Sequence, residues 1–295
     1  MKRRDFIKDM ALGCLFLKFH PKLFAQTKSF PDLAWIQGDS PAKITREAIS
    51  SLGGMKRFVS QGDLVMVKPN IGWDRTPELG ACTNPEIVKT LIELCFEAGA
   101  KEVKVIDNPC NPANRTYVRS GIEAAAKEAG AKVLLPNPHR LKKTPLNGEW
   151  LKEWEVYTDF IEADKIINVP IAKTHSLSRV TLGMKNWLGA LGGSRNQLHQ
   201  RLDLAMVDLA SFFKPCLTFL DAYRILVRNG PQGGRLSDVK LQKTVVAGVD
   251  YVAVDTAGAS FFGIGPQELP YLQIAHQKGF GEINLEKLAI EKRTL

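Results

Sequence analysis

The stretch LVMVKPN at residues 64–70 decides the fold. Four apolar residues followed by Lys68 predict a strand that is buried on both faces of a sheet. The residues TNP at 83–85 then start a helix, because an Asn–Pro pair precedes apolar residues that recur at helical spacing over 87–95. The run VKVID at 103–107 is a second strand. Together these segments predict a strand–helix–strand unit.

The same alternation of strands and helices continues on both sides of this unit. Apolar strands that alternate with helices are typical of an α/β fold, with a mostly parallel sheet and helices on both faces. The length of 295 residues allows a single large domain or two closely packed lobes around a cleft. Further strands are predicted at 34–37, 132–135, 165–171, 217–220 and 243–247, and further helices at 44–52, 118–129, 182–191, 197–213, 252–262 and 269–278, with 136–148 irregular.

The N-terminus has the features of an export signal. Arg3 and Arg4 are followed by Phe6 and by an apolar stretch at 10–19, an order that is typical of a twin-arginine signal peptide. The alternative is an amphipathic first helix of the fold. We therefore expect a periplasmic or otherwise exported protein, tethered to the membrane if the signal is not cleaved. The predicted divisions are a signal at 1–25, an extension packed on the core at 26–62, an α/β domain at 63–265 and a helical extension at 266–295.

Basic residues exceed acidic ones by a modest margin. The formal net charge is +9, but the first 25 residues hold six basic and two acidic side chains, so the rest of the chain carries +5. The chain has no run of Lys and Arg with interleaved aromatic residues, and no glycine-rich nucleotide motif follows a strand. Nucleic-acid binding is therefore not expected, and the excess charge fits a local anion site better.

Polar residues follow the predicted strands at the point where each strand ends. Ligands of parallel α/β sheets bind beyond the carboxyl ends of the strands, so these side chains are expected to meet at one rim. Each residue alone is usually structural at such a position, and their coincidence indicates a functional cleft. They are Lys68 and Asn70 after strand 64–68, Asp107 after strand 103–106, Lys173 and His175 after strand 165–171, and Asp221 after strand 217–220.

Two further segments bring cations toward the same rim. The helix predicted from about residue 181 carries Lys185 and Asn186, and its free amides are expected to hold an anion beside Lys173. Arg224 and Arg228 precede a glycine-rich loop, and guanidinium groups suit carboxylate or phosphate groups. The alternatives are a solvent-facing helix residue for Lys185 and an ordinary surface loop for the two arginines.

A divalent metal is the weakest of these predictions. Asp107, Asp255 and His199 are the candidate ligands, and with His175 and Asp221 they make a mixed nitrogen and oxygen set. No HExxH motif or tight His/Asp spacing supports them. Asp255 lies among small apolar residues, so its carboxylate needs a partner, and a lysine at the rim is the expected one.

Cysteine and serine patterns exclude two kinds of chemistry. The five cysteines include no CxxC pair and no ferredoxin spacing, so a self-contained iron–sulfur cluster is not expected. No nucleophile-elbow pattern indicates a catalytic serine. Cys82 and Cys110 fall in loops after strands, where they are either a disulfide formed in an oxidising compartment or free thiols.

Several blocks, in order, resemble a known family. They are VKPN at 67–70, TNPEIV at 83–88, EAGA at 97–100, AKTH at 172–175, GMKNWLG at 183–189 and DYVAVD at 250–255. The chain is similar over about 63–265 to the bacterial and archaeal family called domain of unknown function 362. The resemblance implies that family's fold without a particular reaction. Many relatives carry ferredoxin modules or lie beside redox proteins, whereas this chain has no cluster-binding cysteine set. The resemblance further implies one site formed by Lys68, Asn70, Lys173, His175, Lys185, Asn186 and Asp255.

These observations predict an exported protein that binds a small anionic molecule in the cleft. Three lysines are expected to neutralise the anion, and their mutual burial is expected to lower the pKa of at least one of them. The two asparagines orient the anion by hydrogen bonds. The predicted substrate-binding residues are Lys68, Asn70, Lys185, Asn186, Arg224 and Arg228, and Lys173 is both a counter-charge and a candidate base.

The cleft is expected to support acid–base or metal-assisted chemistry. His175 would move a proton, with Asp107 or Asp221 orienting its ring or holding a divalent ion, so His175, Lys173 and Asp221 are the predicted catalytic residues. One alternative is a non-catalytic binding or assembly factor for an exported iron–sulfur redox enzyme. Another is a scaffold with a vestigial site. The expected protein partners are the twin-arginine export machinery and a redox protein.

Overall fold

The computed structural model describes residues 30–295, and the predicted twin-arginine signal at 1–25 lies outside the described residues. Its strands are β1 (Leu33–Gln37), β2 (Leu64–Pro69), β3 (Glu102–Val105), β4 (Lys132–Val133), β5 (Leu141–Pro145), β6 (Glu153–Tyr157), β7 (Lys165–Val169), β8 (Ile171–His175), β9 (Arg179–Thr181), β10 (Leu217–Leu226), β11 (Val239–Gly248) and β12 (Ile290–Thr294). Its α-helices are α1 (Pro41–Ser51), α2 (Pro85–Glu97), α3 (Ala113–Arg119), α4 (Ile122–Glu128), α5 (Thr158–Glu162), α6 (Gly183–Asn186), α7 (Leu202–Phe213), α8 (Tyr251–Ser260) and α9 (Pro270–Gln277).

Strand β2 lies inside the main sheet and is buried over all but its first residue. It pairs in parallel with β7 on one side and with β3 on the other. Helix α2 connects β2 to β3 and begins after Asn84, whose side chain accepts a hydrogen bond from the amide of Glu86 at 2.9 Å. Pro85 occupies the first turn, where its missing N–H costs nothing. The predicted strand–helix–strand unit is therefore confirmed.

The main sheet is mixed, with mostly parallel strands. Its order is β12–β1–β11–β10–β7–β2–β3–β4, and β8 and β9 extend it along β10. The pairs from β10 through β7, β2 and β3 to β4 are parallel, as are β1 and β12 and β8 and β10, whereas β1–β11, β10–β11 and β8–β9 are antiparallel. Strands β5 and β6 form a separate hairpin.

Alternate residues of the sheet face two separate cores. Val65 and Val67 of β2 pack in one cluster with α1, α2 and α4, whereas Met66 packs in the other with α7, α8 and α9. Side chains alternate between the faces of a strand, so an apolar strand needs helices on both sides. Residues 31–295 form one compact unit. Over residues 30–295, the helices are too short or too polar for a membrane span.

Strand β10 is longer than predicted. The strand predicted at 217–220 continues to Leu226, so Asp221 lies inside it and not at its end. The reason is a change of partner, because β7 pairs with β10 at Leu217 and Thr218 and β8 takes over from Asp221 onward. Pro170 separates β7 from β8, whereas the sequence predicted one strand at 165–171 and no strand over the rest of β8.

The segments at the two ends of the described chain join the same sheet. Strand β1, in the segment predicted as an extension at 26–62, pairs with both β11 and β12. The segment at 266–295 was predicted to be helical, but it contains α9 and ends in β12. Strand β12 is largely exposed and polar, so it lacks the apolar run that identified the buried strands. Strand β5 lies in the stretch at 136–148 that was predicted to be irregular.

Candidate functional site

A cavity of about 140 Å³ lies where β2, β3 and β8 end. Exposed side chains of Cys110 and Asn196 are part of its lining, so it opens to the surface. Eight of the twelve residues singled out from the sequence line this cavity, although they come from distant parts of the chain. They are Lys68, Asn70, Asp107, Lys173, His175, Lys185, Asn186 and His199.

Lys68 and Asp107 form a buried ion pair in the cavity wall. Nζ of Lys68 lies 2.8 Å from Oδ1 of Asp107 and also donates to Oδ1 of Asn186 at 2.9 Å and to the carbonyl of Pro69 at 3.0 Å. An ammonium group has three N–H donors, so all of them have partners here. Burial lowers the pKa of Lys68, against the opposing effect of the Asp107 charge. This lysine is therefore compensated within the protein.

Two asparagines connect Lys68 to Lys173. Oδ1 of Asn186 accepts from Lys68 and from Nδ2 of Asn70, the latter at 3.1 Å, and Nδ2 of Asn186 donates to Oδ1 of Asn168 at 2.8 Å. Oδ1 of Asn70 accepts from Nζ of Lys173 at 3.0 Å. Both amide oxygens are thus committed to protein donors, so these side chains hold the lysines in place.

Within the described residues, Lys173 has only neutral hydrogen-bond partners. Its ammonium group donates to Asn70 and to the carbonyl of Ala81 at 2.6 Å. Burial lowers its pKa to about 8. No carboxylate within the described residues forms an ion pair with it.

Lys185 has no protein partner at all in the described part of the chain. The residue is only 8% exposed, yet its ammonium group makes neither a hydrogen bond nor an ion pair to any residue in 30–295. Burial, together with the positive charge of Lys173, lowers its pKa to about 8. This direction agrees with the expectation for lysines buried together. Lys185 is therefore a largely buried cation with no hydrogen bond or ion pair in residues 30–295, and the charge of Asp203 offsets only part of the effect of burial on its pKa.

His175 is fixed in one tautomer. Its Nδ1 accepts a hydrogen bond from the backbone N–H of Leu177 at 3.1 Å. A nitrogen that accepts carries no proton, so the neutral ring carries its proton on Nε2. Burial, followed by the charges of Lys185 and Lys173, lowers the pKa of His175 to about 3. The ring is thus neutral at physiological pH and presents an N–H donor.

His199 has the opposite tautomer. Its Nδ1 lies 3.2 Å from the carbonyl oxygen of Asn196, and a carbonyl can only accept, so Nδ1 is the protonated nitrogen. Nε2 of His199 therefore has a free lone pair. Burial and the charge of Lys185 lower the pKa of this ring as well.

Asp255 fixes the helix that carries Lys185 and Asn186. Its carboxylate accepts from the amides of Gly183 at 2.6 Å and Met184 at 2.9 Å. A Cβ at position 183 would lie 2.7 Å from Oδ1 of Asp255, so glycine is required for this contact. Burial raises the pKa of Asp255 to about 7. These amides, which were predicted to hold an anion, are therefore already bonded to Asp255. The prediction that a lysine pairs with Asp255 was wrong, because backbone amides are its partners.

The end of the same segment packs closely on the ion pair. A Cβ at Gly189 would overlap Oδ1 of Asp107 and lie 2.7 Å from Nζ of Lys68. Trp187 stacks on Phe213 of α7 with ring centroids 4.6 Å apart. The GMKNWLG segment at 183–189 thus needs glycine at both ends, where other side chains approach its backbone, and a large aromatic residue at Trp187, which packs on α7. These contacts explain its pattern of small and large residues.

Asp221, predicted to be catalytic, does not line the cavity. Its carboxylate accepts from the amide of Asn84 at 2.7 Å and from the amide of Tyr223 at 2.9 Å, so it supports the start of α2. Burial raises its pKa to about 6. Its position inside β10, and not at a strand end, places it away from the residues that surround the cavity.

The two predicted arginines also lie outside the cavity lining. Arg224 belongs to β10, and its guanidinium group lies 5.1 Å from the centre of the Tyr223 ring. Arg228 is exposed, donates to the carbonyl of Ser237 and lies 3.9 Å from Asp238. Because β10 extends beyond its predicted end, these arginines are held by neighbours on the strand and its turn.

The predicted metal ligands do not come together. In residues 30–295, no three His, Cys, Asp or Glu side chains are grouped closely enough to hold a metal ion. Asp107 is paired with Lys68, and Asp255 accepts two backbone amides outside the cavity. In the described chain, the lining contains four ammonium or guanidinium groups and one carboxylate, and this excess of positive charge repels a cation.

Arg195 lines the cavity but was not predicted from the sequence. It donates to the carbonyls of Asn108 at 2.7 Å, Pro109 at 3.1 Å and Leu188 at 3.2 Å, so its partners are all neutral. It lies in a 3₁₀ helix, Arg195–Arg201, at the start of what was predicted as one long α-helix. No local pattern distinguishes it from a surface arginine.

Thr181 was also missed. It is buried, it lines the cavity, and its hydroxyl has no hydrogen-bond partner among the described residues. Strand β9 places it directly opposite Lys173 on β8. A hairpin prediction over 171–181 would have found it.

Cys82 and Cys110, for which two alternatives were open, are both free thiols in the structure. Cys82 is buried and donates to the carbonyl of Trp73, and burial raises its pKa to about 11. Cys110 is exposed at the cavity. The cavity wall therefore does not depend on a disulfide between them.

The chain is similar to a curated protein and to a solved structure. The chain is 24% identical over 242 residues to the thylakoid-associated protein sll1697 of Synechocystis sp., an alignment that covers 79% of this chain and 74% of that protein. The apoprotein of lactate racemase from Thermoanaerobacterium thermosaccharolyticum superposes with a TM-score of 0.45 at 10% identity, over 80% of this chain and 57% of the racemase chain. The present chain thus spans little more than half of that structure.

The family comparison covers most of the chain. The family model described as Domain of unknown function (DUF362) matches residues 65–260, which include β2 through α8 and the cavity residues described above. The protein therefore belongs to the DUF362 family.

Proposed function

We propose that this protein binds a small anion in the cavity, with Lys185 and Lys173 as the counter-charges. The observation that carries the proposal is the state of Lys185, which is buried and lacks any partner in residues 30–295. A buried charge is costly unless another charge or several hydrogen bonds compensate it. A bound anion supplies that compensation.

The charge balance of the cavity supports the same conclusion. Four cationic side chains line it, Lys68, Lys173, Lys185 and Arg195, against the single carboxylate of Asp107 in the described chain. Asp107 is already paired with Lys68, so the other three cations form no ion pair with any residue in 30–295. With pKa values of about 8, Lys173 and Lys185 are still mostly protonated at pH 7. The cavity therefore has an excess of positive charge.

The size of the cavity limits the ligand. A protein cavity of about this volume, 140 Å³, accommodates a molecule of roughly six non-hydrogen atoms. Small carboxylates and phosphate fall in this range. The hydroxyl of Thr181 and Nε2–H of His175 remain as hydrogen-bond donors for such an anion.

In the enzymatic form of this proposal, His175 acts as a donor. Since Nε2 carries the proton, His175 stabilises negative charge on an oxygen of the substrate and does not remove a proton. An amine with a pKa of about 8 exchanges protons near neutral pH, so Lys173 and Lys185 are the groups suited to acid–base work.

A second candidate function is a non-catalytic binding or assembly factor for an exported redox enzyme. It is favoured by the fixed network of Lys68, Asn70, Asn186 and Lys173, whose polar groups are largely satisfied within the protein and hold one geometry. Under this alternative, protein purified from its own cell compartment carries a stable partner, and His175→Gln leaves the association unchanged. Native mass spectrometry of the full chain distinguishes a protein that carries a stable protein partner from one that carries only a small anion.

Export through the twin-arginine pathway is part of the proposal. It is supported by Arg3, Arg4 and the apolar stretch that follows them, and by a relative that is named as thylakoid-associated. Replacing both arginines by lysine is expected to retain the protein in the cytoplasmic fraction. Equal distribution of wild type and variant between fractions would refute this part.

Calorimetric titration with acetate and with inorganic phosphate tests anion binding. Lys185→Met is expected to weaken binding at least tenfold, because it keeps the volume of the side chain and removes the charge. Lys142→Met is the matched control, because Lys142 is exposed on β5 outside the cavity. The proposal fails if neither anion binds wild-type protein or if both variants bind equally well.

A further inference from the structure

Two histidines of the cavity offer opposite hydrogen-bonding groups. Nε2 of His175 is a donor because Leu177 N–H occupies its Nδ1, and Nε2 of His199 is an acceptor because its Nδ1 donates to Asn196. Neither Nε2 has a partner in the described chain. The charge of Lys185 acts on both rings, and His199 acts on His175, which places the three groups around the same space.

These roles cannot be exchanged without losing both anchoring hydrogen bonds. A backbone N–H only donates, so Leu177 requires an unprotonated Nδ1 on His175. A backbone carbonyl only accepts, so Asn196 requires a protonated Nδ1 on His199. The backbone therefore sets which ring donates and which ring accepts.

A simple anion cannot satisfy this arrangement. Acetate or sulfate offers acceptor oxygens to the lysines and to His175, but it has no donor for the lone pair of His199. An anion that carries an O–H group satisfies both rings at once. His199 is only partly buried, so water can bond its Nε2 in the free protein. A ligand that displaces this water without supplying a donor loses the hydrogen bond and binds more weakly than a ligand with an O–H group.

We propose that the cavity selects an anion with its own O–H group, a hydroxy carboxylate or a hydrogen phosphate. The O–H donates to Nε2 of His199, and an anionic oxygen accepts from Nε2 of His175. This inference rests on the proposed anion-binding function and adds the class of ligand. It also assigns His199 to ligand recognition and not to a metal.

Two matched pairs of small anions test the inference by calorimetry at pH 7. Glycolate is compared with acetate, and inorganic phosphate with sulfate, because each pair differs in the presence of an O–H group. The hydroxyl-bearing member of at least one pair is expected to bind at least tenfold more tightly. The pair that shows this preference tells whether the preferred ligand is a carboxylate or a phosphate.

Variants connect the preference to His199. His199→Phe is expected to reduce the ratio of affinities within the preferred pair to about one, because the lone pair is lost. His139→Phe is the control, since His139 is exposed outside the cavity lining, and it should keep the wild-type ratio. Nitrogen-15 NMR of the labelled full chain gives an independent measure, with an unprotonated Nδ1 on His175 and a protonated Nδ1 on His199.

Equal binding within both pairs overturns the inference, as does a preference that survives His199→Phe or a common tautomer in the two rings. If Lys185→Met abolishes binding while both ratios equal one, the proposed anion site stands and only the selection for O–H falls. If no anion binds wild-type protein, the proposed function and this inference fall together.

Discussion

Nζ of Lys68 lies 2.8 Å from Oδ1 of Asp107, and the two residues stand at the ends of neighbouring parallel strands. This pair uses the one carboxylate found in the cavity lining of the described chain. Among the described residues, the other cations of the lining therefore have no lining carboxylate with which to pair. The proposed anion site therefore depends on Asp107 forming its ion pair with Lys68 and not with Lys173 or Lys185.

Removal of one member of this pair should be strongly destabilising. Asp107→Asn leaves the Lys68 ammonium buried without an opposite charge, which is expected to lower the free energy of unfolding by about 3–5 kcal/mol. Adding Lys68→Met should recover much of this loss. Urea denaturation measures both variants. Glu153→Gln, which breaks an exposed pair with Lys143, is the control and should cost less than about 1 kcal/mol. Equal stability of the single and double variants would contradict the prediction.

The buried carboxylate of Asp255 predicts a pH dependence of stability. Its pKa is raised from 3.8 to about 7, so the folded protein holds a proton that the unfolded chain releases between these values. The contribution of Asp255 to the free energy of unfolding is therefore most favourable below about pH 4, and it is lost as the pH rises through about 7. Asp255→Asn should gain about 3–4 kcal/mol relative to wild type between pH 4 and pH 8 in urea titrations. A constant difference over this range would argue against it.

Anion affinity should fall at alkaline pH. Lys173 and Lys185 have pKa values of about 8, and an anion binds their charged forms. The affinity for acetate is expected to fall about tenfold per pH unit above pH 8 for each lysine that must be protonated. Acetate keeps its charge over this range, which makes calorimetry from pH 6.5 to 9.5 direct to interpret. An affinity that stays constant to pH 9.5 would exclude these lysines as the counter-charges.

The close approach at Gly189 should tolerate no side chain. Gly189→Ala places a Cβ against Asp107 and Lys68, so we expect a loss of about 1–3 kcal/mol of stability and weaker acetate binding. Gly263→Ala is the comparison, because no atom lies within 4 Å of its added Cβ, although its φ of +67° costs about 1 kcal/mol. Unfolding and titration of both variants test this. Normal anion binding by Gly189→Ala would contradict the packing argument.

Part of the site follows from local sequence. Lys68 and Asp107 were found because apolar runs identify buried parallel strands and because such strands end at a common edge. The same reasoning found Lys173, although it missed the break at Pro170 that makes β8 a separate strand. It failed for Asp221, since the end of a strand depends on whether a neighbouring strand continues to pair with it.

The sequence by itself determined the α/β fold, the central strand–helix–strand unit and eight of the eighteen described residues that line the cavity, because backbone periodicity and burial are encoded within a few residues. Only the tertiary structure decided which polar groups pair. Asp255 meets the amide of Gly183 across 72 positions and Lys68 meets Asn186 across 118. Such choices depend on strand order and on competition between buried donors and acceptors. That competition leaves Lys185 without a hydrogen-bond or ion-pair partner in the described part of the chain and gives His175 and His199 opposite tautomers.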